Sequence, residues 1–168
     1  ATMLTAKHPI AVNQIELHPY VLEASRPLLA FCKEHNITIE AYAPTAPLNK
    51  FPGMYYPPFS SYILRTDWYL NAWYTVGPVD SVLDTIAASL SLRAGHPIVP
   101  SQVLLRFAAQ LGAVVVTTSG KDWRMKEQLA SGNLAGGVPE LTEEEVKMIV
   151  DKGREKYARV YMPHMEDV

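Results

Sequence analysis

Short β-branched runs alternate along the chain with longer stretches whose apolar residues recur at helical spacing. Ile10 to Leu17 (IAVNQIEL) is nearly continuous and β-branched, the pattern of a strand buried on both faces. His18-Pro19 ends it. Ser25, with Pro27 just after it, predicts a capped helix start. That helix shows Leu28, Leu29, Phe31 and Cys32 on one side, with Lys33 and Glu34 near its end and Asn36 as a left-handed stop. Ile37 to Tyr42 (ITIEAY) reads as the next strand, closed by Pro44. Only a helix separates the two strands, which predicts a parallel pair.

A second unit of the same kind follows. Ser101 is a candidate cap for QVLLRFAAQLG, where Val103, Leu104, Phe107, Ala108 and Leu111 fall at helical spacing and Gly112 is the stop. Ala113 to Ser119 (AVVVTTS) carries the strongest strand pattern in the chain. A helix is expected from about Asp122 to Ala130. The last helix is LTEEEVKMIVDKG, where Thr142 and Glu145 form a capping box, Leu141 and Val146 a hydrophobic staple, and Gly153 the stop. Strands and helices in this order predict an α/β fold with parallel strands.

Asn49 to Val76 breaks the rhythm. It gathers Tyr55, Tyr56, Phe59, Tyr62, Trp68, Tyr69, Trp73 and Tyr74 among several prolines, with no clear period. Connections within compact domains rarely exceed about 12–15 residues. Residues 49–76 therefore read as an aromatic-rich insertion within a single domain spanning residues 1–168. It would either cover apolar surface or act as a lid or association patch, and a retained intron stays open beside a genuine insertion.

Composition narrows the possibilities. At 168 residues, 48% hydrophobic and 19% charged, the chain can bury a core and is not of the disordered type. A net charge of −2 gives no electrostatic reason to expect nucleic acid or an anionic membrane as partner. No apolar run approaches the roughly 20 residues of a membrane span, and no signal peptide is legible at the start. One cysteine, Cys32, can form no internal disulfide, so a reducing, cytoplasmic setting is expected, and Cys32 itself reads as a small core residue. His8, His18, His35, His96 and His164 have no partners at ligand spacing, so no metal site is expected. The opening ATMLTAKHPI reads as the tail of a helix entering a strand, with no beginning of its own: either something was removed upstream or a first half was never present.

Three segments in order carry a resemblance. AVNQIELHPY, FCKEHNITIEAYAP, and SQVLLRF with GAVVVTTSGKDWRMKEQL and LTEEEV resemble the C-terminal part of the aldo-keto reductase family. They match its sixth to eighth barrel strands with their helices. VVTTS and GPVD most resemble the branch that reduces α-keto amides and conjugated polyketones. The resemblance implies a partial (β/α)8 TIM barrel, roughly its last three parallel strands with their helices. It skips residues 49–76.

The resemblance also implies NADPH (NADP) as cofactor, held without a glycine-rich loop. Gln14 would hydrogen-bond the nicotinamide carboxamide, because a side-chain amide donates and accepts at once. Tyr42, in register with Gln14, would stack on the nicotinamide ring, with Ala43 and Thr45 in the loop that follows. Thr118, Ser119, Lys121, Arg124, Glu127 and Gln128 fall where the family holds the adenosine end. Arg124 would fork onto the 2′-phosphate, Ser119 would donate to it, and Glu127 and Gln128 would reach the adenine. The chain departs from the family at Thr118, where a lysine is usual; the nearest lysine is Lys121.

The family's proton donor is a tyrosine tuned by a lysine–aspartate pair and assisted by a histidine. The chain contains no Asp-x-x-x-Tyr and no Leu-x-His-x-Pro, so no catalytic residue is assigned. Two readings follow. The chain is the NADPH-binding part of a carbonyl reductase, inactive alone, or a non-catalytic binding or interaction protein derived from a truncated reductase. In either case a three-stranded parallel sheet leaves edges and a face to be covered, by self-association or by the missing N-terminal part.

Overall fold

The computed structural model describes residues 6–48, 77–132 and 137–159. The aromatic-rich segment 49–76 lies outside them. Among the described residues the fold is α/β, with three parallel strands and five helices. Strand β1 (Val12–Glu16) leads through helix α1 (Leu22–Glu34) to β2 (Thr38–Tyr42) and a 3-10 turn (Ala46–Leu48). Helices α2 (Asp80–Ala94) and α3 (Pro100–Gln110) precede β3 (Val114–Val115), which is followed by α4 (Asp122–Ala130) and α5 (Glu143–Gly153).

The strands lie in the order β1-β2-β3. Val12 pairs with Thr38, Gln14 with Glu40 and Glu16 with Tyr42, while Glu40 pairs with Val114. Tyr42 is therefore opposite Glu16 and not in register with Gln14, which lies two residues earlier on the same face. Side-chain alternation gives the sheet two unlike faces. Ile15, Leu17, Ile39, Ala41 and Val115 point into the helix-covered core with Leu83, Ile86, Leu104 and Phe107. Gln14 and Glu40 point the other way, and on that side Val12 and Val114 are 45% and 52% exposed.

Several sequence expectations need correction. β1 is not buried on both faces, because the helices cover only one. Helix α1 begins at Leu22, and Ser25 is not its cap: inside the helix, the Ser25 hydroxyl donates to the Val21 carbonyl at 2.9 Å. Leu28 and Phe31 are exposed, and Cys32 is the buried member of that side. The cap expected at Ser101 belongs elsewhere. Pro100 opens α3, and the Gln102 side chain reaches back to accept from the Val99 N–H at 3.1 Å. The strand expected from Ala113 to Ser119 is only Val114–Val115, followed by one further bond from Val116 N–H to the Ala41 carbonyl. Pairing on one side only leaves little to hold a longer ladder.

Asn36 and Gly112 take the left-handed conformations expected of helix stops. Helix α4 has the predicted limits, and the Thr142–Glu145 capping box forms at α5. Helix α2 escaped the periodicity reading. Its buried residues, Val82, Leu83, Ile86, Ala87 and Leu90, run alongside an almost fully exposed Leu92, so the apolar stripe is blurred. Glu145 also joins α5 to α2: its carboxylate accepts from Arg93 at 2.6 Å and from Ser89 at 3.1 Å. No described helix is long and apolar enough to cross a membrane.

Close packing sets the sign of one substitution. Alanine usually stabilises a helical position relative to glycine by about 1 kcal/mol. At Gly153, however, a Cβ would meet the Pro19 carbonyl oxygen at 2.5 Å and the Pro19 Cβ at 2.9 Å. Gly153→Ala is expected to destabilise the fold by about 1–3 kcal/mol in denaturant titration. A stabilised variant would show that α5 does not press against the end of the first strand.

Candidate functional site

The residues singled out by sequence fall in two places. The first is the carboxyl end of β1 and β2. Gln14 is central in its strand, not at its end, and its Nε2 donates to Glu40 Oε2 at 2.9 Å. Tyr42 is half-buried at the last position of β2. The chain then turns sharply, with Ala43 at a φ of 53°. The Ala43 and Thr45 carbonyls accept from Ala46 and Leu48 N–H, forming the 3-10 turn.

Beside this strand end lies a buried polar pair. His18 Nε2 and Glu16 Oε1 are 2.9 Å apart, with both side chains fully shielded. Arg159 Nη1 approaches the other Glu16 oxygen at 4.0 Å. A hydrogen bond to Tyr157, opposed by partial burial and reinforced by the nearby Glu16, holds the Arg159 pKa above its already high ordinary value. The pair lies at the His-Pro exit of β1, with Glu16 paired opposite Tyr42 across the sheet.

The second place is the exit of β3. Between α3, β3 and α4 lies a cavity of about 580 Å³. Its walls are mainly apolar, among them Leu105, Val115, Met125 and Leu129, and Thr118, Ser119 and Gln128 supply polar edges. Gln128 Nε2 donates to Thr117 Oγ1 at 3.0 Å, bridging α4 to the strand exit. Ser119 Oγ accepts from the Lys121 N–H at 3.1 Å, which tightens the turn before α4. Lys121 Nζ and the Arg124 guanidinium lie 5.9 and 5.0 Å from the centre of the Trp123 ring.

The structure thus brings Thr118, Ser119 and Gln128 to one cavity and sets Lys121 and Arg124 together at the start of the same helix. Glu127 is near by chain position only: its carbonyl accepts from Gln102 Nε2 at 3.0 Å and from the Ser131 hydroxyl at 3.1 Å. Gln14, Tyr42, Ala43 and Thr45 are not in the cavity lining. Sequence reasoning missed Met125 and Leu129. The legible signal was two apolar side chains left outward on a short charged helix, 41% and 68% exposed.

The aldo/keto reductase family model matches residues 1–154, and the chain belongs to that family. It is 28% identical over 156 residues to an NAD/NADP-dependent indole-3-acetaldehyde reductase of Schizosaccharomyces pombe, covering 93% of this chain and 43% of the relative. It is 29% identical to an NADPH-dependent alpha-keto amide reductase of Saccharomyces cerevisiae, over 86% of this chain and 36% of the relative. The chain thus spans well under half the length of these relatives. Among solved structures, an aldo-keto reductase from Bombyx mori in complex with NADP superposes with a TM-score of 0.62 at 21% identity, over 98% of this chain and 43% of that one. An aldo-keto reductase from a Medee basin deep-sea metagenome library gives 0.61 at 22%, over 94% and 44%. At these identities the likeness establishes the fold, which is part of a TIM barrel.

Gln102 is the joint between α3 and the cavity wall, buried and bonded at both ends of its amide. Gln102→Ala is expected to cost about 1–3 kcal/mol, since it removes both hydrogen bonds of a buried amide and leaves the Val99 N–H without that acceptor. Amide exchange should accelerate in α4 more than in α5. Uniform acceleration across both helices would show that the bond to the Glu127 carbonyl does not hold α4 in place.

Proposed function

We propose that this chain is the nucleotide-binding part of an NADPH-dependent carbonyl reductase. The observation that carries the reading is the cavity at the β3 exit, apolar in its walls and polar at one edge, with two cations beside it that form no ion pair among the described residues. Apolar walls suit the faces of an adenine ring, and Thr118, Ser119 and Gln128 suit its ribose and polar edge. Arg124 presents a planar fork for a phosphate, and Lys121 adds a second charge. Glu127 would act through its carboxylate at the helix surface.

When bound, NADPH supplies the hydride of carbonyl reduction. At the strand ends, Gln14 would orient a carboxamide, exchanging its bond to Glu40 for one to the ligand. Tyr42 would offer a ring face, with Ala43 and Thr45 shaping the turn below it. These residues lie outside the lining of the β3 cavity, and the exposed face carrying Val12 and Val114 supports completion by complementary strands, from the rest of such a barrel or a second copy. The 168 residues contain no Asp-x-x-x-Tyr to supply the family's proton donor. An alkoxide formed without an acid beside it has nothing to stabilise it.

Arg124→Ala should weaken NADPH binding by about 1–3 kcal/mol and leave NADH nearly unaffected, as read by calorimetry. Equal weakening of both cofactors would remove the phosphate assignment. With an aldehyde or ketone present, the chain alone should not oxidise NADPH at a steady rate. Turnover that survives repurification and disappears in Tyr42→Ala would reveal an acid that the sequence does not show.

A further inference from the structure

Helix α4 opens with an arrangement that nucleotide binding does not by itself require. Trp123 is left 53% exposed, and two cations lie over its ring at 5.0 and 5.9 Å. A cation within about 6 Å of an indole face is attracted by the ring quadrupole. Among the described residues, neither Lys121 nor Arg124 shares an ion pair with a carboxylate, although Asp122 lies between them in sequence. A carboxylate would gather two cations but cancel the charge an anion needs. An uncharged ring face gathers both and cancels neither.

The lysine is placed from two directions. Its backbone N–H is tied to Ser119 Oγ at 3.1 Å, at the rim of the cavity that Ser119 and Met125 help to line. Its ammonium reaches Trp123. Thr118 leaves the strand end without a cation, and Lys121 and Arg124 share the Trp123 ring as a common contact.

We propose that Trp123 is a specificity-determining positioning residue. It gathers Lys121 and Arg124 into a two-cation clamp beside the cavity, for a phosphomonoester on the nucleotide ribose. A phosphomonoester carries about −1.5 to −2 charge near neutral pH, which two cations match and a ribose hydroxyl does not. The inference rests on the nucleotide reading of the cavity, and the test separates the two.

The probes are adenosine 2′,5′-bisphosphate and AMP, which share the 5′-phosphate and differ only in the 2′-phosphate, titrated calorimetrically into the full chain. Trp123→Leu is expected to weaken the bisphosphate roughly threefold to tenfold and AMP by less than about twofold. Trp123→Phe should recover most of the loss, because a phenyl ring keeps a quadrupole. Because Trp123 is exposed, circular dichroism and the melting temperature should stay close to those of the parent. Equal weakening of both ligands by Trp123→Leu would mean that the indole meets the shared adenosine, which overturns the clamp. No change with Trp123→Leu, while Arg124→Ala remains selective for the bisphosphate, overturns the role of Trp123 and leaves the cavity reading standing. If Arg124→Ala is also unselective, or the parent chain binds both ligands equally, the phosphate assignment fails and this inference fails with it; if the parent chain binds neither, the nucleotide reading itself fails.

Discussion

Parallel pairing of β2 with both of its neighbours is the constraint from which the rest of this structure follows. A parallel partner can be reached only by returning the chain the full length of the sheet, and here helices make that return. They pack on one side, over Ile15, Leu17, Ile39, Ala41 and Val115. The opposite side keeps Val12, Gln14 and Val114 uncovered. Every strand also ends at the same edge, so the turns after β1, β2 and β3 gather there. Both groups of candidate residues follow from that: Tyr42 with Ala43 at one exit, and Thr118, Ser119 and Gln128 at the other.

Elements whose signals are local were legible in the sequence. The Thr142–Glu145 capping box, the left-handed Asn36 and Gly112, and the limits of α4 depend on a few neighbouring residues, and the structure has them as expected. Features that depend on tertiary partners were not. VVVTT has the composition of a strand, but β3 pairs with β2 alone and its ladder is short. Ser25 has the right chemistry for a cap, yet Leu22 is drawn into the helix because its side chain is buried in the core. In α2 the buried residues share one face, but the exposed Leu92 and the alanines and serines around it blur the apolar stripe.

The candidate site divides in the same way. Motif positions identified the polar residues at the β3 exit, because these lie close together on one turn and one helix. The apolar walls were not legible, since Leu105 on α3 and Leu129 on α4 become neighbours only through packing. The register of Gln14 and Tyr42 was misread for a related reason. It is fixed by hydrogen bonds across the pair, which place Tyr42 opposite Glu16. That places Tyr42 beside the buried Glu16–His18 pair, whose fixed geometry holds the strand end where the following turn begins.

The hydrogen bonds already present at the β3 exit decide which contacts can discriminate among ligands. Gln128 Nε2 is already engaged with Thr117, and Ser119 Oγ already accepts from Lys121 N–H. A ligand that takes either group as partner exchanges one hydrogen bond for another, a substitution with little net gain. Burial of a flat apolar ring against Val115, Met125 and Leu129 gains free energy with area, but it hardly distinguishes one adenosine derivative from another. The charges of Lys121 and Arg124 are different. Neither side chain forms an ion pair with a carboxylate among the described residues, so an incoming phosphate would displace none, although both are exposed and their charge is screened by solvent. On the proposed nucleotide reading, selectivity would therefore rest on the cations and what positions them, and affinity on the apolar walls.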